Sequence, residues 1–386
     1  MKRGLVAFST RDTENPRKRA GCKSIAVVRS IDLGPGRAYS PRAGRLRFAS
    51  EGSDVLAPSM RAMVLERASR TLIEQKLPVP EPGPTELLVR VRCTGVCRTD
   101  LHILDGELPA PRLPLVMGHQ IVGTVVAQGA LVEGFAEGQR VGVPWLGWAC
   151  GDCRLCRLGR ENLCEGAEFT GYQRNGGYAE YAIVSPQYAL PLPRSYPDLQ
   201  AAPLLCAGLI GYRALCMAGD AQRIGLYGFG SAAHIIAQVA RHQGREVYAF
   251  TRPGNEAQLV FARSMGVDWA GPSDTAAPVT LDAALIFAPN GALVPRALAA
   301  VSPGGSVICA GIHMSDIPSF PYELLWGERT LRSVANLTRR DGVEFMELVP
   351  RVPVHSEVTA YSLSDLPRAL DDLRASRLSG AAVIRL

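Results

Sequence analysis

Four cysteines within fifteen residues constrain this chain more than any other feature. Cys150, Cys153, Cys156 and Cys164 follow the spacing C-x2-C-x2-C-x7-C, with Gly151, Asp152 and Gly159 between them to form tight turns. A Zn²⁺ ion takes four soft ligands in a tetrahedron at about 2.3 Å each, and thiolates this close can supply all four with little help from the rest of the fold. Such a site is closed: it stabilises a loop and leaves no position for a substrate. The alternative is four free cysteines on a flexible loop, where they would be prone to oxidation. The chain has ten cysteines, but the clustering of these four speaks for metal rather than a disulfide framework.

Three further ligands lie on separate segments. Cys97 opens Cys97-Arg98-Thr99-Asp100-Leu101-His102, His119 lies in Gly118-His119-Gln120, and Cys206 lies in Leu204-Leu205-Cys206-Ala207-Gly208. Each alone reads as an ordinary core residue. Together, two cysteines and one histidine make an open zinc site whose fourth position is free for water or substrate.

The 386 residues correspond to two or three domains at about 150 each. Residues 1–59 carry 12 Lys and Arg against 5 Asp and Glu, which accounts for the whole chain's net charge of +6 and leaves the body near neutral. A nucleic-acid partner is therefore not expected. That segment, rich in Arg, Ser, Gly and Pro, reads as a disordered basic extension, with a targeting leader or an acid-binding tail as alternatives and the fold starting at Met60 or Met63. The longest apolar run, around Ala201–Tyr212, falls well short of the roughly 20 residues that span a bilayer. No membrane partner is expected, and the chain reads as cytoplasmic.

From Met63 the pattern is β-rich, with runs at Leu87–Cys93, Ile121–Ala127, Arg140–Val143 and Tyr178–Val184 separated by Gly and Pro. It then changes to strands alternating with helices of about ten residues. Strands are expected at Ile224–Tyr227, Glu246–Phe250, Ala283–Phe287 and Ser306–Ala310, and helices at Ala232–Arg241, Glu256–Met265 and Leu293–Val301. Such alternation implies βαβ units and a parallel sheet. The expected class is α/β: a β-rich body from residue 60 to about 206, then a Rossmann-type nucleotide-binding domain at 207–336.

Gly228-Phe229-Gly230-Ser231-Ala232-Ala233 is G-x-G-x-x-A between an expected strand and an expected helix. Gly228 and Gly230 permit the tight turn and the approach of a pyrophosphate to the helix N-terminus, and Ala233 permits close packing. NAD sites place a carboxylate at the end of the next strand, where this chain has Thr251-Arg252. Nothing there would repel a 2′-phosphate, and a hydroxyl and a guanidinium could hold one. NADP is expected ahead of NAD.

With these residues in hand, the chain resembles the zinc-dependent alcohol dehydrogenases of the medium-chain dehydrogenase/reductase superfamily, from about Met60 to Leu386. The segments Leu204–Gly211 and Ser333–Arg339 resemble bacterial enzymes acting on primary alcohols. The resemblance implies a GroES-like catalytic domain at 60–206, a return of the chain to that domain at 337–386, and two zinc ions per chain. Cys97, His119 and Cys206 would hold the catalytic ion, and Cys150, Cys153, Cys156 and Cys164 the structural one. It implies that Asp100 fixes the ring of His119, that Thr99 takes the substrate hydroxyl proton, and that His102 passes it to solvent. Arg98 would grip the cofactor pyrophosphate, with Ile312 and Arg339 completing the cofactor site. Leu108, Trp145, Trp148 and Ile312 could line an apolar pocket. A primary alcohol or its aldehyde is the implied substrate, and a homodimer or homotetramer the implied assembly. Two departures stand out: Gln120 replaces the family's usual Glu, and Ile210 its frequent Thr. A zinc-free quinone or enoyl reductase, or a non-catalytic member of the fold, is the rival reading.

Overall fold

The computed structural model describes residues 58–66, 71–108, 112–352, 354–378 and 380–386. The expected basic extension lies outside these residues except for its last two. The first strand, Ser59–Leu65, begins one residue before Met60 and pairs with Leu72–Pro78 and Leu115–Val116. The described residues belong to one compact unit.

The β-rich runs assemble around one long strand. Leu87–Val96 is flanked by Ile121–Gln128 and by the C-terminal strand Ala381–Arg385, both antiparallel to it, and Tyr181–Val184 pairs with its first half. The last strand of the chain thus returns to the sheet that carries Cys97 just past its end. On this strand Leu87, Val89 and Val91 pack in one apolar cluster, while Leu88 and Val96 pack in another. That division between faces follows from the two-residue repeat of a strand.

The alternating segments form a second, six-stranded sheet. Its order is Trp269–Pro272, Glu246–Thr251, Arg223–Tyr227, Leu281–Ile286, Val301–Cys309 and Thr330–Ser333, and every pairing is parallel. In sequence order this is 3-2-1-4-5-6, the order of a doubly wound dinucleotide-binding sheet. Ile224, Leu226, Val247, Ala249, Phe250, Ala284 and Leu285 are buried, as helices on both faces of such a sheet require.

Two expected elements differ. The strand expected at Ser306–Ala310 begins earlier, at Val301, and runs through Pro303-Gly304-Gly305. Val301 pairs with Leu281, a bulge follows, and the ladder resumes at Ala283 with Ser306. The strand expected at Tyr178–Val184 is confined to Tyr181–Val184, because Tyr178 turns its backbone to Met117 and Met63.

Among the described residues no single helix is long and apolar enough to cross a membrane. The apolar run Ala201–Tyr212 is divided between a 3₁₀ turn, Ala202–Leu205, and the helix Ala207–Met217, both packed in the main core.

The helix Ser231–His242 buries Ala233, Ile235, Ile236, Ala237, Val239 and Ala240 in the main core. His234 is buried with them, and burial pushes its imidazole down to about 4, against ~6.5 in an unfolded chain. Between those values the unfolded state binds the extra proton, so stability falls as pH drops below ~6.5 and levels off near 4. The full effect is about 3 kcal/mol. Urea unfolding from pH 7 to 4 is expected to show a steeper decline in the parent than in His234→Leu. Parallel curves would mean that the imidazole does not carry the effect.

Candidate active site

The site is built where the long catalytic strand ends. Leu87–Val96 runs directly into Cys97, which is the N-cap of the helix Arg98–Asp105. The Cys97 sulfur accepts from the Thr99 N–H at 3.4 Å, and the Asp100 carboxylate accepts from the Cys97 N–H at 2.9 Å. This reciprocal cap fixes the first turn of the helix, so the local fold itself sets the directions of Cys97, Thr99 and Asp100.

His119 enters from the segment before Ile121–Gln128, and Cys206 from the N-cap of the helix Ala207–Met217. Their ligand atoms and the Cys97 sulfur all lie within 4.8 Å of one another. His119 Nε2 is 3.1 Å from the Cys97 sulfur, while Nδ1 faces Asp100 Oδ1 at 3.5 Å. His119 and Asp100 are buried. Burial pulls His119 down, but Cys97 and Asp100 overcome it and raise the ring to about 10. The Cys97 thiol is held well below its ordinary range, chiefly by the hydrogen bond from Cys206. Two sulfurs and one nitrogen sharing protons in a buried space are a donor set that suits zinc with one position left open.

The four-cysteine segment fits a closed ion more directly. All four sulfurs lie within 4.8 Å of one another and all are free thiols. The sulfurs of Cys150 and Cys156 are 3.8 Å apart, and those of Cys150 and Cys164 are 3.5 Å apart. A tetrahedron of four sulfurs at about 2.3 Å from its centre has edges of about 3.8 Å. Backbone N–H groups of Asp152 and Cys153 push the Cys150 thiol down to about 6, toward the thiolate a metal requires.

The dinucleotide turn also fits its group. Gly228 has φ +90°, and a Cβ there would meet the Ala288 backbone nitrogen at 2.8 Å. Gly230 caps the helix Ser231–His242 with no side-chain hydrogen bond, and a Cβ on it would meet nothing within 4 Å. The space before that helix is open and its first N–H groups lack side-chain acceptors, which is the arrangement that receives a phosphate.

The other expected site residues are placed as follows. Arg98 is exposed, with its guanidinium 3.5 Å from the Ser376 hydroxyl. Arg339 is the exposed first residue of the helix Arg339–Leu348, and Ile312 lies on an exposed loop after Val301–Cys309. Trp145 stands edge-on to His119 with centroids 4.9 Å apart and stacks on Phe169 and Tyr172. Leu108 is partly buried and packs against the cluster that holds Leu101 and Ile103. Trp148 is exposed, two residues before Cys150. Thr251 is fully buried and its hydroxyl has no hydrogen-bond partner, whereas Arg252 beside it is exposed. Gln120 is buried, and its Oε1 lies where a Cβ on Gly95 would come within 2.5 Å, so glycine at 95 makes its room.

Four contacts were not expected from the sequence. Glu161, in the four-cysteine lobe, accepts from the Arg339 N–H at 2.6 Å, and Asn162 donates to the Ala335 carbonyl at 2.6 Å. These tie the lobe to the segment that carries Arg339, across more than 170 residues, a separation at which no local pattern operates. Tyr178 is buried and donates to the Gly95 carbonyl at 3.4 Å. Glu107 pairs with His102 Nδ1. The signal for this last contact was present as a His followed five residues later by Glu across Gly106, a left-handed helix cap.

Residues 83–194 match the alcohol dehydrogenase GroES-like domain family. The AdhA protein of Mycobacterium tuberculosis, named as a probable alcohol dehydrogenase, is 45% identical over 314 residues, spanning 79% of this chain and 90% of that protein. The acetophenone reductase of Geotrichum candidum, solved in complex with NAD, superposes with a TM-score of 0.77 at 28% identity, covering 86% of this chain and 98% of that one. The cobalt- and zinc-bound thermostable alcohol dehydrogenase of Pyrobaculum aerophilum superposes at 0.77 with 26% identity, covering 85% and 100%. Identity at this level over most of both chains, on a fold with a GroES-like domain and a parallel dinucleotide sheet, places this chain in the zinc-dependent alcohol dehydrogenase family of the medium-chain dehydrogenase/reductase superfamily.

Proposed function

We propose that this alcohol dehydrogenase interconverts a primary alcohol and its aldehyde by hydride exchange with a nicotinamide cofactor, NADP(H) ahead of NAD(H), at a zinc-dependent site. The observation that carries the reading is the convergence of Cys97, His119 and Cys206 from three elements to within 4.8 Å, beside Thr99 and His102 on one helix. These three residues would hold the catalytic ion, and the four-cysteine lobe a structural one. Bound there, zinc supplies Lewis acidity to the substrate oxygen, and the nicotinamide exchanges the hydride.

The chain's own residues do the rest. Asp100 keeps the His119 ring turned so that Nε2 is free for the ion. Thr99 takes the substrate hydroxyl proton and His102 carries it outward. Gly228, Gly230 and the first turn after them receive the pyrophosphate, assisted by Arg98 and Arg339, and Ile312 packs near the ring. Trp145 gives the ligand histidine an apolar wall that excludes water. The resemblance of Leu204–Gly211 and Ser333–Arg339 to primary-alcohol enzymes supports that substrate class, and Arg252 supports the 2′-phosphate. The same resemblance extends the proposal to a cytoplasmic homodimer or homotetramer.

Metal analysis together with rates on a series of simple primary alcohols tests the reading. Two zinc ions per chain and turnover lost on chelation are expected. Undiminished turnover in metal-free protein would favour the zinc-free reductase instead.

A further inference from the structure

We propose that Glu107 is the outlet of the proton relay: the group that takes the proton from His102 and hands it to water. This rests on the reading of His102 as a relay residue given above.

The two nitrogens of His102 face different surroundings. Nε2 is sealed from solvent and has no hydrogen-bond partner, so it points inward with an unused site. Nδ1 is paired with Oε2 of Glu107. The His102 side chain is 17% exposed and that of Glu107 is 51% exposed, so the pair runs from the interior to the surface. The connection is built by the end of the helix. Gly106 adopts φ +78° and ends the helix Arg98–Asp105, and the Glu107 N–H returns to the His102 carbonyl at 2.9 Å. Backbone and side chain of Glu107 therefore hold the same residue.

The surroundings confine the ring. His313, from the loop after Val301–Cys309 of the nucleotide-binding sheet, lays its ring against His102 with centroids 4.6 Å apart and planes 36° apart. His313 holds φ +50°, a conformation unusual for a residue with a side chain. The bidentate pair of Arg374 with Asp105, at 2.6 and 2.8 Å, secures the turn before Glu107 and sets a cation within reach of its carboxylate. Glu107 and His313 thus meet the His102 ring, and Arg374, paired with Asp105, lies near Glu107.

The step balances as follows. In alcohol oxidation the hydroxyl proton reaches His102 Nε2 by way of Thr99, and the proton on His102 Nδ1 passes to Oε2 of Glu107. The carboxylic acid so formed gives its proton to water. The ring then carries the substrate proton on Nε2 and none on Nδ1; when product leaves, Nε2 gives its proton to water entering the vacated site and Nδ1 regains one from water through Glu107, so that one proton is released per turnover. No electron pair beyond those of the O–H and N–H bonds moves, and no co-reactant is needed. A carboxylate on Nδ1 also fixes the tautomer with Nε2 bare, the form able to accept from the interior.

Glu107→Gln tests this in the full-length, metal-loaded enzyme. In weak buffer, kcat for alcohol oxidation is expected to fall about tenfold. That is less than the roughly hundredfold effect of losing a direct general base, because water still reaches the ring. KM for alcohol and cofactor should stay within twofold, and added imidazole buffer should restore most of the rate. Nitrogen-15 spectra of the histidines should show His102 protonated on Nδ1 in the parent and a mixture of tautomers in the variant. A rate within twofold of the parent, a loss that buffer does not rescue, or a parent ring protonated on Nε2 would each overturn the outlet. His102→Gln separates the two levels. If it is slow while Glu107→Gln is not, the relay stands and the outlet falls. If it keeps the full rate, the relay reading falls and the outlet with it.

Discussion

Cys206→Ala is expected to abolish turnover, by roughly a hundredfold or more, and to leave the thermal midpoint nearly unchanged. Cys153→Ala is expected to do the reverse: to lower the midpoint by at least several degrees and to cost activity only as the fold is lost. The contrast follows from where each sulfur sits. Cys206 stands between the 3₁₀ turn Ala202–Leu205 and the helix Ala207–Met217, both of which pack in the main core whatever the sulfur binds. Its loss leaves Cys97 and His119, two donors for an ion that needs three from the protein.

Cys153 has no such support. It caps a helix of only four residues, Arg154–Arg157, followed by a 3₁₀ turn of three, Glu161–Leu163. Neither is long enough to persist in water by itself. The apolar cluster beneath is small, with Leu146, Ala149, Cys164 and Tyr188 as its buried members. Metal binding in such a segment is largely its folding free energy, on the order of 10 kcal/mol in zinc-dependent peptides. Each variant should lose about one zinc per chain, so metal content alone does not distinguish them. Thermal melts and kcat on the same samples do. Equal activity losses with both midpoints unchanged would sink the division of labour.

What was legible in the sequence was whatever is local. Spacing alone marked the four cysteines, and period alone separated the strands around Leu87–Val96 from the βαβ segments. Gly228 and Gly230 were legible because a tight turn before a helix has few alternatives. Contacts between distant segments left no such trace. Glu161 meets the backbone of Arg339 across 178 positions, and nothing in the lobe's sequence says which helix it will cap. Asp100 was read only through His119, although its position three residues after Cys97 is also that of a capping box; the two roles fall to different oxygens of one carboxylate. Thr251 shows the limit in the other direction. Its strand was expected to end at Phe250 and runs one residue further, so Thr251 lies within it with its hydroxyl buried and Arg252 is the first residue past its end.

That orientation decides how cofactor choice should be tested. Arg252→Ala is expected to lower kcat/KM for NADP about tenfold while changing that for NAD by less than twofold. Arg252 is the exposed residue directly after Glu246–Thr251, at the strand end where a carboxylate would select NAD. A guanidinium there can take a 2′-phosphate, which carries close to two negative charges, and has no comparable partner in NAD. Two unit charges 4 Å apart interact by about 1 kcal/mol in water and about 4 kcal/mol at an effective dielectric of 20. An exposed side chain belongs near the lower end of that span, and about 1.4 kcal/mol is a factor of ten. Thr251→Asp is the less clean probe, since it would put a carboxylate into a fully buried position and cost stability as well as affinity. The measurement is kcat/KM for both cofactors in parent and variant at one ionic strength, repeated at higher salt. The parent's advantage with NADP should shrink as salt screens the pair, and the variant's should not. A parent that already prefers NAD would remove the case for Arg252 and require another group to hold the ribose. A parent that prefers NADP with the ratio unchanged in Arg252→Ala would place the phosphate elsewhere on the loop that follows the strand.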